Sequence, residues 1–466
     1  MTRHRAVAGA CLALAAACGG SPDAPDQAPV FTPSSPATSL VRLPVEGGLA
    51  RAYSVPDLEP IEWEPQARLP GLERLVGVNG EQGIVFAVDT RSRMAILDLP
   101  SGRVRSALAN VRAATVAADG LLYTVDSGGV VHAYGRRTPE RFQSRIEGPP
   151  PRLHGAVGGR VLAVSRQGGE LSVLAPRDSV AIRPIAEGPV AVTLWGDLLA
   201  VATDTAVRLY DPQGRRPEQT LELENGARAL AFSPSGHQLY VAQDDGGIAM
   251  VERFSLDVIS RIELPERVDH LRSGPFGRWL LAHAEGSDSV WVIDLAGEPS
   301  VEAIVSGWAD DLPLVTASSV LVVRQGDDVV AFEPTGGAFT EQGRIEDGAK
   351  DLWVAPPWTP TSAPIAEAKP SDDPAETPGP LEGDTLDGGE RVYLQVSSSR
   401  NPEWARELSD KLTAAGLPAR VLEPPAEGDT YRVVLGPYPS REAAEASGRS
   451  LGMPFFVISA GEADTP

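Results

Sequence analysis

Between Gly71 and Val354 the chain repeats itself, and the period of that repeat leaves few folds open. Short segments in which apolar and polar residues alternate recur through it: RMAILDL, VVHAYG, LSVLAP, AVRLYDP, IAMVERF, SVWVIDL and DVVAFEP. A period of two marks a strand with one face turned to a core. Equivalent positions in these segments are Leu97, Tyr134, Leu174, Tyr210, Val251, Ile293 and Phe332, spaced about forty residues apart. A unit of that length built from strands, without helical spacing between them, is one four-stranded blade of a radial array. Turn pairs stand before several of these strands, at Gly128-Gly129, Gly168-Gly169, Gly246-Gly247 and Gly326-Asp327. Such residues accept the positive φ of tight hairpins. The expectation is an all-β β-propeller over 66–355, seven-bladed, with eight blades as the alternative. The alternative arises from DLWVAPPW (351–358), which mimics the strand start RALAFSPS (228–235) and has the form of a strand that closes a ring.

The N-terminus is built as an export signal. Arg3, His4 and Arg5 form a positive start, and Ala6 to Ala17 an apolar run. That run is too short for a bilayer core, which takes about 20 helical residues, so 1–17 reads as a cleaved signal peptide. Its end, LAAAC (14–18), resembles the lipobox of bacterial lipoproteins, with leucine one place further from the cysteine than usual. The resemblance implies that Cys18 is lipidated and anchors the mature chain to a membrane, stably if more than one acyl chain is attached. The other cysteine, Cys11, lies inside the signal, so no disulfide is expected downstream.

Residues 18–65 are rich in Pro, Ser, Asp and Ala and read as a flexible tether, with LARAYSV (49–55) as a segment that packs as a stray strand if it packs at all. A second proline-rich stretch, 356–389, reads as a disordered linker. Beyond it, 390–461 has the order strand, helix, strand, strand, helix, strand, a small α+β unit of βαββαβ form. RVYLQV (391–396) alternates as a strand. Asn401 and Pro402 suit a helix start, with Ala405, Leu408, Leu412 and Ala415 on one face and Gly416 past its end. ARVLE, TYRVVLGPY and FFVI supply further strands, and Ser440 caps a second helix bearing Ala443, Ala444, Ser447 and Leu451.

In LQVSSS, and above all in YRVVLGPYPSREAA with its Gly436-Pro437-Tyr438 turn, this unit resembles the SPOR domain of bacterial cell-envelope proteins. That resemblance implies binding to peptidoglycan glycan strands stripped of their peptides, on the sheet face opposite the helices. Carried over by position, it implies Gln395 and Ser398 on the first strand and Arg432 on the third as glycan-binding residues. Tyr431, next to Arg432, is expected on the opposite face. Where the family commonly carries Gly-Ser-aromatic, Ser397, Ser398 and Ser399 stand here, which removes a sugar-stacking ring.

The fifth repeat, ARALAFSPSGHQLYVAQDDGGIAMVERFSLDVISRIEL, resembles YVTN or WD-type propellers, a likeness that carries fold and not function. His132, His154, His237, His270 and His283 fall in different repeats without metal-ligand spacing and read as surface or hairpin residues. Acidic pairs at Asp244-Asp245, Asp310-Asp311 and Asp327-Asp328 read as turn formers. Trp195, Trp279, Trp291 and Trp308 read as core fillers. Neither phosphate loop, nucleophile elbow nor CxxC occurs, and no catalytic constellation, metal site or cofactor is expected. A formal net charge of −22 argues against nucleic acid. The combined expectation is a non-enzymatic envelope lipoprotein facing the periplasm, binding peptidoglycan and offering its propeller face to an unidentified protein partner in division or wall remodelling. The alternatives are an outer-membrane assembly factor, resembling the propeller lipoprotein of the barrel assembly machinery, and a propeller enzyme of lactonase or quinoprotein type.

Overall fold

A computed structural model describes the chain within 39–356 and 392–459, apart from short stretches of which 424–430 and 445–455 are the longest. Seven four-stranded antiparallel sheets follow one another along the chain. Their third strands are Met94–Asp98, Val130–Tyr134, Gly168–Leu174, Ala206–Tyr210, Gly247–Glu252, Ser289–Asp294 and Asp328–Thr335. These hold the seven positions that define the sequence repeat. The apolar runs in the second strands are buried on both faces, as at Leu199–Ala202 and Trp279–His283. A sheet buried on both faces needs a sheet on either side, which is what a ring provides. The hairpin glycines take the expected positive φ: Gly129 sits at 76°, and an added Cβ there would collide with the Ile146 carbonyl oxygen.

The ring closes through a three-stranded sheet ordered Arg51–Tyr53, Leu40–Leu43, Leu352–Val354. Leu43 pairs with Leu352 and Val41 with Val354, so strands from the two ends of the array share one ladder. One side of this sheet, with Val41, Leu43 and Ala52, packs on Leu72, Val85 and Leu97 of the first four-stranded sheet. Leu40, Tyr53 and Trp353 pack on Val322, Val329 and Ala331 of the seventh. The segment 351–358 therefore contributes a closing strand, Leu352–Val354, and among the described residues a three-stranded sheet lies between the last four-stranded sheet of the array and the first. The tether expectation for 18–65 is corrected: from Ser39 onward the chain belongs to the ring, and within 49–55 Arg51–Tyr53 is one of its strands. Proline and serine misled here because a strand of three or four residues needs little propensity once both flanking sheets supply its partners. The signal segment, the tether up to residue 38 and the linker fall outside the described residues.

Polar contacts lock the closure. Arg42 Nε donates to Asp351 at 2.5 Å, and the Val45 amide donates to the other carboxylate oxygen at 3.1 Å. The Trp353 amide donates to Asp311 at 2.9 Å, and Asp311 also pairs with Arg324 at 2.8 Å. The Trp353 indole donates to the Gly348 carbonyl at 2.9 Å.

The C-terminal unit is a four-stranded antiparallel sheet ordered Ala419–Leu422, Tyr431–Tyr438, Val392–Ser399, Phe456–Ser459. Its helix, Pro402–Ala414, buries Ala405, Leu408 and Leu412 over Leu394, Val396, Val433 and Leu435. Ala444 is helical and buried in the same core, and its amide donates to the Ser440 carbonyl at 3.1 Å. The rest of the expected second helix lies outside the described residues, as do Ala415 and Gly416.

Trp353→Ala removes a side chain with no solvent exposure and leaves the closing strand without its largest contact. We expect a loss of about 3–5 kcal/mol. Urea unfolding of the propeller transition checks it: the midpoint falls while the slope stays constant.

Candidate functional site

The faces of the C-terminal sheet are set by strand alternation around the helix. Leu394, Val396, Val433 and Leu435 point to the helix side. Their sequence neighbours Tyr393, Gln395, Arg432 and Val434 therefore project from the other side. Tyr393 and Val434 form a separate apolar cluster there with Ile458 and Leu422. Gln395 is half-buried, opposite Val434 on one neighbouring strand and Phe456 on the other. Ser398 and Arg432 are direct cross-strand partners, and Arg432 is half-buried. Tyr431 packs with the helix-side core, as alternation required. The face opposite the helix thus carries Gln395 and Arg432 two strands wide, with the Ser398 backbone beside Arg432. Cys18 lies outside the described residues.

Two further residues belong to this face and were missed from sequence. Arg420 is exposed on the edge strand, opposite Val434, and its guanidinium lies over the Tyr393 ring at 4.4 Å. An arginine held on an aromatic face is a preset planar donor array. The signal was present in RVYLQV, where Tyr393 alternates in phase with Gln395. The bend that ends the central strand also depends on the sheet interior. Gly436 has a φ of 122°, and a Cβ there would stand 3.1 Å from both the Tyr393 and Tyr438 rings. A side chain at this position would displace the tyrosine beneath Arg420.

In the propeller, the acidic pairs are engaged in turns and with arginines. Asp245 accepts from the Gly247 amide at 3.0 Å and pairs with Arg261. Asp328 pairs with Arg344 at 3.0 Å, and Asp244 with Arg228 at 3.2 Å. The histidine expectation is corrected in part. His132 does stand at a hairpin, 3.0 Å from Asp126 in the turn. His283 is buried, stacks on Trp308 with ring centroids 5.3 Å apart, and Trp308 carries Arg272 on its face at 4.3 Å. His154 is half-buried, with its Nε2 enclosed and without a hydrogen-bond partner among the described residues. Burial, with Arg152 adding to it, pushes the His154 imidazole down to about 4. Trp279 and Trp291 are core fillers as expected. Among the described residues no helix is long and apolar enough to cross a membrane.

Residues 388–452 match the SPOR domain family. No curated protein matches the chain. Solved structures similar in shape include apo AztD from Citrobacter koseri, at 14% identity and a TM-score of 0.48, covering 68% of this chain and 98% of that one. The dihydro-heme d1 dehydrogenase NirN in complex with DHE has 14% identity and a TM-score of 0.48, covering 69% of this chain and 77% of its own. The β-propeller domain of Swd1 from Myceliophteria thermophila has 15% identity and a TM-score of 0.39, covering 59% and 97%. The propeller of this chain is defined by its own sheets and their packing. The C-terminal unit is a SPOR domain, a peptidoglycan-binding module, and places the protein in the cell envelope facing the periplasm.

His154 sets a pH dependence with a definite sign. In the folded protein it stays neutral down to about pH 4, whereas the unfolded chain takes up a proton near pH 6.5. Stability is therefore lost as pH falls between those values, by about 2 kcal/mol at pH 5. Thermal unfolding at pH 7 and pH 5 should show the wild type losing a few degrees more than His154→Leu.

Proposed function

We propose that this chain is a lipid-anchored binding protein that holds peptidoglycan glycan strands on the helix-free face of its SPOR domain and presents the propeller to a protein partner. Gln395, Ser398 and Arg432 are the contact residues in this reading. One observation carries it: alternation brings Gln395 and Arg432 to the same side, with Ser398 in register beside Arg432, inside the segment that matches the family. Amide and hydroxyl groups hydrogen-bond sugar hydroxyls and acetamido groups, and the Arg432 guanidinium suits the lactyl carboxylate that peptide removal exposes. Arg420 on Tyr393 supplies a flat cationic platform in place of the aromatic missing from the serine run.

The chemistry is recognition without turnover, and no catalytic residue is assigned. Cys18 as lipid attachment places the propeller between a membrane and the wall. A protein tied at one end to lipid and at the other to denuded glycan belongs where such glycan is made, in division or wall remodelling.

Two measurements test this. Mature protein incubated with amidase-treated sacculi should be retained at least tenfold better than Gln395→Ala/Arg432→Ala, and poorly by sacculi with intact peptides. Equal retention of wild type and double variant removes the assigned face. In cells, the wild type should fractionate with membranes and Cys18→Ser with the soluble envelope fraction. Membrane association unchanged by that substitution removes the anchor.

A further inference from the structure

The turn between the first two strands of the fourth propeller sheet has counterparts in the fifth, sixth and seventh sheets. In each, the fourth residue donates its amide to the first residue's carbonyl: Gly196 to Thr193 at 2.9 Å, Gly236 to Ser233 at 2.8 Å, Gly277 to Gly274 at 3.0 Å and Ser319 to Thr316 at 3.0 Å. The third residue occupies the outermost point of the turn. It is Ser235 in the fifth sheet, Phe276 in the sixth and Ser318 in the seventh; in the fourth it is Trp195. An indole at the tip of a surface turn is exposed unless something covers it, yet Trp195 is only 6% accessible. Among the described residues it belongs to none of the propeller's own core clusters. Its apolar neighbours are those of the C-terminal domain, in a cluster with Leu394, Val396, Leu408, Leu412, Leu435 and Ala444. This corrects the reading of Trp195 as a filler of its own repeat.

A second residue joins that cluster from the propeller. Phe254 lies in the turn after Gly247–Glu252 in the fifth sheet, at the same end of the ring. The two turns are tied together by a buried ion pair, Arg253 to Asp197 at 2.9 Å, with side chains 3% and 9% exposed. Asp197 also accepts from the Thr193 hydroxyl at 2.6 Å, and Arg253 lies over the Phe254 ring at 5.1 Å. An ion pair spanning two adjacent sheets at the rim fixes the spacing of the two aromatic side chains. It forms a rigid seat.

We infer that the SPOR domain docks on the propeller at Trp195 and Phe254, so that the two units form one body with the candidate glycan face turned outward. The cluster at the seat contains only helix-side residues of the SPOR sheet, whereas Tyr393 and Val434 belong to the opposite cluster. Docking therefore leaves Gln395 and Arg432 on the far side. The orientation is the functional content: a glycan strand bound there meets the module at a set angle to the ring. Chain length permits the contact. Roughly 35 residues separate the units, so each holds the other at an effective concentration in the millimolar range, about where a contact weak in isolation is well populated.

The inference rests on the SPOR assignment but not on glycan affinity, and small-angle scattering of the full chain from Gly19 tests it. The wild type should scatter as one compact particle in its folded part, and Trp195→Ser/Phe254→Ser should gain about 30 Å in maximum dimension with an unchanged far-ultraviolet β spectrum. A wild-type profile that requires two independently moving bodies overturns the docking, and it decides alone if the variant loses its β spectrum. Retention on denuded sacculi should be unaffected by the double substitution. Expansion of the variant without retention of either protein keeps the docking and removes the glycan reading; retention without expansion does the reverse.

Discussion

A sheet that is apolar on both faces cannot stand at an end, and the rest of this molecule follows from that. Seven sheets in series leave two such faces uncovered, one on the first and one on the seventh. The closing sheet covers both at once, and it does so with strands from opposite ends of the array. Its contacts are correspondingly concentrated: Asp311 ties Arg324 in the seventh sheet to the Trp353 amide, while Asp351 ties the C-terminal closing strand to Arg42 in the N-terminal one. Because the last contact forms only when the first is in place, the ring is cooperative across more than 300 residues. Its rim turns are fixed by backbone hydrogen bonds within that closed ring.

That rigidity gives the turns of the rim their use. A turn anchored by backbone hydrogen bonds within a closed ring can carry an exposed apolar side chain without collapsing onto itself. The fourth and fifth sheets use this to hold Trp195 and Phe254 at fixed spacing, with Arg253 and Asp197 beneath them. A desolvated ion pair gains little stability over apolar replacements, but losing either partner strands a charge. The arrangement is thus better suited to fixing geometry than to adding stability.

What could be read from sequence divides along a physical line. Alternation in the third strands is a local property, so the repeat, its strand positions and the opposite facing of Tyr431 and Arg432 were all legible. That Gln395 and Arg432 share the side away from the helix was an implication of the SPOR resemblance and not of the period. The illegible parts depend on partners far away in the chain. Leu40–Leu43 and Arg51–Tyr53 sit in a proline-rich setting and become strands because Leu352–Val354 and two flanking sheets receive them. Trp195 looked like core because tryptophan usually is; its partners lie some two hundred residues further on. His154 looked like a hairpin residue because a lone histidine in a strand says nothing about which face it takes.

Charge follows the same division of labour. A chain at −22 could be expected to repel the anionic wall it is proposed to bind. In the propeller, however, much of the acid is consumed locally, capping turns and pairing with arginines such as Arg228, Arg261 and Arg344. On the SPOR sheet the named charges facing away from the helix are arginines, Arg420 on Tyr393 and Arg432 beside Ser398. At physiological salt, fields beyond about 8 Å are largely screened, so a glycan carboxylate responds to those two cations rather than to the net charge of a ring on the other side of the sheet.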